Sequence, residues 1–482
     1  MNLKFLLAKY WEIPVRVKAS LWFFICSVFQ KLISVISTAV FTRVMKTGDY
    51  GLISIYNSWT DILLMIASLS LNVGCFNVGM TRYDTRRESW VSTLQILSLI
   101  SASVVTVIFI ATFNIWGDWV GLSFLICCVM AVTFYFNPAV NLWTAKQRYT
   151  SSYRKLGTMT LAFSVCTLLL SLVMVLNSDH KGEAKIIASA AVTVIFGAVL
   201  LVCNLRAVEE DKLFDASFGK FAFKYNLQMM PAFISTSFMS QIDRIMIDRV
   251  ISRDAAAIYS VAYNVAFMIS IVSGAINATY NPWLMQKVKS KNFDRVNEIG
   301  IAISVALLFV IEGFIFLAPE VVKILAPIEY YEAIYIIPAV AGSTFFTLIY
   351  GMYSPVPQYK LHVASLASIN VLAGIVNVTL NYIAIAKWGY IAAGYTTFIS
   401  YFIYGFGTAI FSIYLLKKDG IKEKIYNGKL LTLMVLGLVI SIIVVPLLYN
   451  FFIVRYLLLS IILIVFFLKR QTIINLIKML KE

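Results

Sequence analysis

Few side chains in this sequence can bind or move charge, and most of them stand inside long apolar runs. Lys31 lies in the run 18–43 with Ser27 and Ser34 on its helical face, and Asp61 lies in the next run with Ser54, Asn57, Ser68 and Asn72 on its own. The string QIDRIMIDRV holds Gln241, Asp243, Arg244, Asp248 and Arg249, with Arg244 and Asp248 four residues apart and able to neutralise one another on one face. Glu312 stands in a later run without a base nearby in sequence. A charge at bilayer depth costs at least about 2.5 kcal/mol, so each of these groups needs a partner, water or a function.

Two uses stay open for each. Lys31 and Asp61 form a structural ion pair that lets two helices insert, or Lys31 lines a path for an anion. The cluster from Gln241 to Arg249 compensates its own charge near the outer surface, or touches a substrate or gate. Asp243 and Glu312 are the coupling-ion candidates: Glu312 is a proton carrier or a hydrated interfacial carboxyl. Asn370, Asn377 and Asn381 form one stripe, and Tyr263, Ser270, Asn277 and Asn281 another. Such stripes suit sugars or helix–helix hydrogen bonds, and mark inward faces either way.

Other chemistry is excluded. There is no GxxxxGK[ST] phosphate loop, and His180 and His362 sit in separate loops, so neither direct ATP hydrolysis nor a histidine metal site is expected. The six cysteines, Cys26, Cys75, Cys127, Cys128, Cys166 and Cys203, fall in or beside apolar stretches without CxxC spacing and read as packing residues. No cofactor, no metal and no nucleic acid is expected, and the chain does not read as an enzyme.

The elements that must hold these residues follow from composition. Of 482 residues, 60% are apolar and 13% charged, whereas soluble domains carry about a quarter charged residues. Apolar runs long enough to span a bilayer follow one another, and predict an all-α polytopic membrane protein with about fourteen helices: 18–43, 51–76, 90–115, 119–140, 157–177, 185–205, 227–251, 256–284, 296–318, 333–352, 363–386, 390–416, 430–448 and 450–468. The first run, preceded by Lys4, Lys9, Arg16 and Lys18 and about 25 residues long, is a transmembrane helix and not a cleaved signal.

The net charge of +16 is unevenly placed: alternate loops and the two tails hold 29 of the 40 basic residues, and the opposite loops hold seven. Positively charged loops stay inside, which predicts cytoplasmic termini. Trp90, Trp116, Trp119, Trp143, Trp283 and Trp388 lie near predicted helix ends, as expected of an interfacial belt. The loops are too short for a soluble catalytic domain.

A shift of 206 residues superposes Arg43-Val44 on Arg249-Val250, Ser54 on Ser260, and the stripe Lys31, Ser34, Thr38, Thr42 on Ser237, Ser240, Arg244, Asp248. An even number of helices between copies makes this a parallel six-plus-six repeat, of a kind common in transporters. The expected division is 1–208 with helices one to six, 209–418 with helices seven to twelve, and 419–482 with an extra pair and a basic tail.

Met230-Pro231, QIDRIMIDRV, AAAIYSVAYNVA and NPWLMQKVKS, together with FQKLISVISTAVFTRVMKTGDYG and NVTLNYIAIAKWGYIAAGYTTFIS, give the chain a familiar order of motifs. It resembles the Wzx-type O-antigen and polysaccharide flippases of the multidrug, oligosaccharidyl-lipid and polysaccharide exporter superfamily. The resemblance implies a MATE-like, two-lobed bundle with alternating access around a cavity, the last two helices matching the extra pair of members such as lipid II flippases. It implies a bacterial plasma (inner) membrane, a polyprenyl-pyrophosphate-linked oligosaccharide as substrate, surrounding membrane lipids, and a polysaccharide polymerase and chain-length regulator as partners. Lys31 and Arg244 then suit phosphate or acidic sugars, with Asp61, Asp248, Asn57 and Gln241 as further cavity candidates. A cation-coupled drug exporter of the same superfamily would use Asp61, Asp243 or Glu312 on amphiphilic cations. A membrane polymerase or ligase would need a larger outer loop, and a non-transporting scaffold or scramblase would leave the intramembrane charges without a use.

Overall fold

The computed structural model describes residues 15–208, 212–421 and 425–478. Lys4, Lys9, Lys422, Lys424 and Lys481, counted above toward the basic loops and tails, lie outside the described residues.

Among the described residues every regular element is helical. The long helices are α1 (Val15–Val44), α2 (Thr47–Ala67), α3 (Arg87–Ala111), α4 (Phe124–Tyr149), α5 (Tyr153–Leu176), α6 (Lys181–Arg206), α7 (Ala216–Val250), α8 (Arg253–Ala266, carried through the 3-10 turn Phe267–Ile269 into Ser270–Ser290), α9 (Val296–Phe316), α10 (Ile337–Tyr353), α11 (Val363–Trp388), α12 (Ile391–Lys418), α13 (Gly428–Leu447) and α14 (Phe452–Lys478). Each takes up one of the expected segments.

Among the described residues, ten helices are long and apolar enough to cross a membrane, or eleven if the bent pair Ile328–Tyr335 and Ile337–Tyr359 is one span. That is fewer than the expected fourteen, for a chemical reason. The 21 residues of α2 include Asp49, Asn57 and Asp61, and α7 carries Lys220, Lys224, Asp243, Arg244, Asp248 and Arg249 along 35 residues. Only Phe452–Ile464 of α14 counts, as a shorter apolar helix. The chain is a multi-pass membrane protein whose most polar helices carry the candidate site.

The chain divides into two compact units, residues 1–45 with 56–234, and 46–55 with 235–482. In the first, α4 packs on α6 and α3, and α5 on α1 and α6. Its core gathers Leu71, Phe76, Met80, Trp90, Leu94 and Phe218. Trp90, expected in an interfacial belt, is fully buried, and its indole N–H donates to the Phe76 carbonyl at 3.3 Å. The reason is Gly79: a Cβ there would lie 2.0 Å from the Trp90 ring, so only glycine lets the indole in. Trp119 and Trp388 do lie exposed. At one end of this unit Arg86 pairs with Asp215 at 3.0 Å and Lys146 pairs with Glu88. At the other, the Lys181 ammonium donates to the Val44 carbonyl at 2.9 Å.

In the second unit α10 is central, packed by α12, α9, α8 and α13, while α14 lies against α9. One end is rich in lysine. There Lys360 donates to the Leu415 carbonyl at 2.7 Å and pairs with Asp419, and Tyr426 donates to the Met352 carbonyl at 3.1 Å. At the opposite end Arg455 grips Glu320 and the Phe316 carbonyl, Tyr449 donates to the Ile315 carbonyl at 2.9 Å, and Tyr390 bonds Glu332. The chain thus visits the two ends in turn through α9, α10, α12, α13 and α14, so the last pair traverses this unit.

The starts of α2 and α8 meet within the second unit. Ser54 and Ser260, 206 residues apart and superposed by the repeat, share a hydrogen bond between their hydroxyls. Thr47 bonds Asp254. The approach is so close that a Cβ on Gly51 would lie 2.2 Å from the Arg253 carbonyl oxygen.

Candidate functional site

Two buried charges of the second unit lie side by side on α7. Asp243 is fully buried and Arg244 is 5% exposed. Ile242, Ile245 and Ile247 beside them on α7 are also buried, so both charged groups need hydrogen-bond partners within the protein.

Asp243 finds three, each from a different helix. Tyr259 of α8 donates its hydroxyl to Oδ2 at 2.5 Å, Thr397 of α12 donates to the same oxygen at 2.6 Å, and the Asn381 amide of α11 donates to Oδ1 at 2.5 Å. Asn381 also donates to Asn377 Oδ1 at 3.3 Å, and its own carbonyl accepts from Thr396. The carboxylate thus accepts from two hydroxyls and one amide N–H inside the helices, while the amide oxygens of Asn377 and Asn381 accept from other donors. A carboxylate oxygen is a hard donor, suited to a proton or a small hard cation. Among the described residues no three His, Cys, Asp or Glu side chains gather, so the site lacks the donors of a transition-metal centre.

Arg244 does not neutralise Asp248, contrary to the helical spacing. Its guanidinium donates to the Ser240 carbonyl and to Gln241 Oε1, both at 2.7 Å, and to Ser260 Oγ at 3.1 Å, and it lies over the Tyr263 ring at 4.3 Å. Asp248 instead pairs with Arg253 at 3.2 Å. Residues four apart on a helix are neighbours only if nothing better approaches from outside, and the start of α8 brings both Ser260 and Arg253. Arg249 is exposed.

The other candidates are distributed. Glu312 of α9, half-buried, accepts from the Ser441 hydroxyl of α13 at 2.5 Å. Lys31 on α1 is half-buried, and Asn57 and Asp61 on α2 are exposed; these three belong to the first unit, whereas Gln241, Asp243, Arg244, Asp248 and Glu312 belong to the second. Asn377 and Asn381 of the expected α11 stripe are buried at the site, while Asn277, Asn281 and Asn370 keep side-chain oxygens buried without a partner.

Sequence reasoning missed Tyr259, Thr396 and Thr397, because one tyrosine and two threonines in apolar helices carry no distinctive spacing. It also missed Arg455, a 2% exposed arginine near the start of α14, whose signal was an isolated base inside a predicted span.

The sequence pattern of the family described as polysaccharide biosynthesis protein matches residues 17–288. No curated protein sequence matches the chain. Among solved structures, an inward-facing multidrug resistance MATE family transporter of the MOP superfamily superposes with a TM-score of 0.62 at 12% identity, covering 80% of this chain and 96% of that one. The lipid II flippase MurJ in an inward closed conformation superposes with a TM-score of 0.59 at 14% identity, covering 93% and 99%. A mutant of the Vibrio cholerae MATE transporter VcmN gives 0.53 at 11% identity, covering 84% and 97%. At these identities the likeness is one of fold.

Proposed function

Because the chain belongs to the polysaccharide biosynthesis protein family, we propose that it is a flippase that moves a polyprenyl-pyrophosphate-linked oligosaccharide across a membrane by alternating access. The substrate is a repeat unit of a surface polysaccharide such as O-antigen, passed from the cytoplasmic to the outer face of a bacterial plasma membrane. Both termini lie in the cytoplasm, and the chain divides functionally near residues 208 and 418. A polymerase and a chain-length regulator are its partners after translocation.

The observation that carries this reading is the burial of the adjacent Asp243 and Arg244 among the helices of a chain of this family whose fold is like that of a MATE transporter. Charges there are costly and are retained where an ion or polar substrate is handled. Asp243 is the coupling site: binding or releasing one cation changes the charge at the point where α7, α8, α11 and α12 are tied together. That change biases which arrangement of helices is favoured, as a ligand with different affinities for two states must. Arg244, committed to Ser240, Gln241 and Ser260, supplies the fixed positive charge beside it. Lys31, with Asn57 and Asp61, is less enclosed and is the better candidate to meet the diphosphate and sugars. Gln241 and Asp248 hold Arg244 and Arg253, and Glu312 is a second, weaker coupling candidate.

A buried acid also suits a cation-coupled drug exporter, and one experiment separates the two. Purified protein in liposomes is given either a short-chain polyprenyl-pyrophosphate oligosaccharide or an amphiphilic cationic dye. The flippase reading expects the sugar head to become accessible on the opposite leaflet, and Lys31→Gln to slow this. Dye movement without movement of the lipid-linked sugar refutes it.

A further inference from the structure

Both α12 and α13 pack on α10, but they do not stay together along it. Level with Gly342 of α10 they converge: a Cβ there would lie 2.6 Å from the Ile442 side chain of α13 and 3.0 Å from the Phe398 ring of α12. At the lysine-rich end they part around a cavity of about 310 Å³, at the lower end of the range of ligand pockets. Its walls include Tyr353, Tyr426, Ile413 and Leu416, and its charged groups are Lys417 and Lys429. The Tyr426 hydroxyl is already bonded to the Met352 carbonyl and to Tyr280, which leaves the two lysines as the charged donors. Among the described residues neither lysine pairs with a carboxylate, and the nearby Asp419 is taken by Lys360.

Each lysine stands at the end of an apolar stripe that faces outward. On α12, Ile410 and Ile413 share the face of Lys417, and on α13, Leu433, Leu436 and Ile440 share the face of Lys429; all five apolar side chains are exposed. From Lys429 to Ile440 the helix advances about 16 Å. That is close to one leaflet of a hydrocarbon core about 30 Å thick. The cavity therefore combines cations at one end with apolar surface running down from them to the depth an acyl chain reaches.

We propose that this cavity is a site for an anionic phospholipid of the surrounding membrane, with its phosphate between Lys417 and Lys429 and its two chains along the stripes of α12 and α13. Lysines at a membrane surface favour headgroups of net negative charge over zwitterionic ones, by about fivefold in affinity for each lysine. A free phosphate would gain nothing from the isoleucine and leucine beside the cations. Two stripes suit a lipid with two chains, whereas a polyprenyl carrier has one. The lipid fills the gap between α12 and α13 and ties the last pair of helices to the rest of the second unit. The proposal is independent of which substrate the protein moves.

The test measures binding to the purified full-length protein by native mass spectrometry, with phosphatidylglycerol, phosphatidylcholine, inorganic pyrophosphate and a polyprenyl phosphate each titrated. Phosphatidylglycerol is expected to bind more tightly than phosphatidylcholine. Lys417→Gln and Lys429→Gln together are expected to weaken it by about thirtyfold, and each alone by about fivefold. Lys155→Gln with Lys289→Gln removes the same charge from exposed positions on α5 and α8 and is expected to leave the affinity as it is. Ile413→Trp, which fills the cavity without altering its charge, is expected to displace phosphatidylglycerol, and so tests the site without the lysine variants. An equal loss in the two lysine pairs, or unchanged binding in Ile413→Trp, overturns the site. Equal binding of phosphatidylcholine overturns the anionic headgroup. Displacement of bound phosphatidylglycerol by inorganic pyrophosphate overturns the lipid in favour of a free anion, and tighter binding of the polyprenyl phosphate overturns the phospholipid in favour of a carrier lipid.

Discussion

Replacing Arg455 by methionine keeps the length of the side chain and removes a clamp that only the folded chain reveals. Arg455 Nη1 donates to the Phe316 carbonyl at 2.7 Å and to Glu320 Oε2 at 2.8 Å, and Nη2 donates to Glu320 Oε1. The arginine side chain is 3% exposed and that of Glu320 33%. Breaking a fully buried pair costs about 3–5 kcal/mol, and an exposed one contributes only about 0.2–1 kcal/mol. Glu320 falls between these limits, since water and the Tyr456 hydroxyl at 2.8 Å still reach it. The Phe316 carbonyl, deprived of a charged donor, adds about 1–3 kcal/mol. We therefore expect Arg455→Met to lower stability by about 2–3 kcal/mol, with Arg455→Lys between it and the wild type. Thermal unfolding in detergent across the cycle of Arg455→Met, Glu320→Gln and the double variant measures the coupling, expected at about 1–2 kcal/mol. Burial alone would raise the Glu320 carboxyl, but the bonds from Arg455 and Tyr456 hold it below the ordinary carboxylate value. A depressed acid stabilises above its unfolded pKa and loses that contribution as pH falls through the folded value, so the gap between wild type and Arg455→Met narrows below about pH 4 to the part that the Phe316 carbonyl contributes. A coupling within about 0.5 kcal/mol of zero, or a difference that grows toward acid pH, would refute the reasoning.

Two further expectations concern helix ends. Gly51→Leu forces a side chain where a Cβ already lies 2.2 Å from the Arg253 carbonyl, so the starts of α2 and α8 must part; a Ser54→Cys, Ser260→Cys pair that cross-links in the parent should fail to do so beside it. Asp215 caps α7: the Ser217 hydroxyl first, with the Ser217 N–H, Arg86 and the Phe218 N–H, holds its carboxyl down at about 2. Asp215→Ala should lose about 1 kcal/mol at neutral pH, with the difference from wild type vanishing as unfolding is measured from pH 4 toward pH 2; a deficit independent of pH would show that the cap, if any, is not the ionised carboxyl.

Hydropathy and charge spacing are local properties of the chain, and so the helical segments, the membrane as solvent, and the inward faces of Asn377 and Asn381 could be read from sequence. The prominence of Asp243 was legible for the same reason, because an acid in an apolar run is costly wherever the run ends up. What the acid does was not. Its donors come from α8, α11 and α12, the two farthest 138 and 154 residues away in the chain, and nothing in a tyrosine or threonine announces such a meeting. Helical spacing set Arg244 against Asp248, and tertiary contact overruled it by offering Ser260 and Arg253 at shorter reach. Trp90 sat at a predicted helix end yet is buried, because the missing side chain of Gly79 makes a slot for it. Sequence by itself determined which residues are too polar for their surroundings; only the packing of the helices decided which of them are partners, since hydrogen bonds act over about 3 Å and chain separation does not constrain that distance.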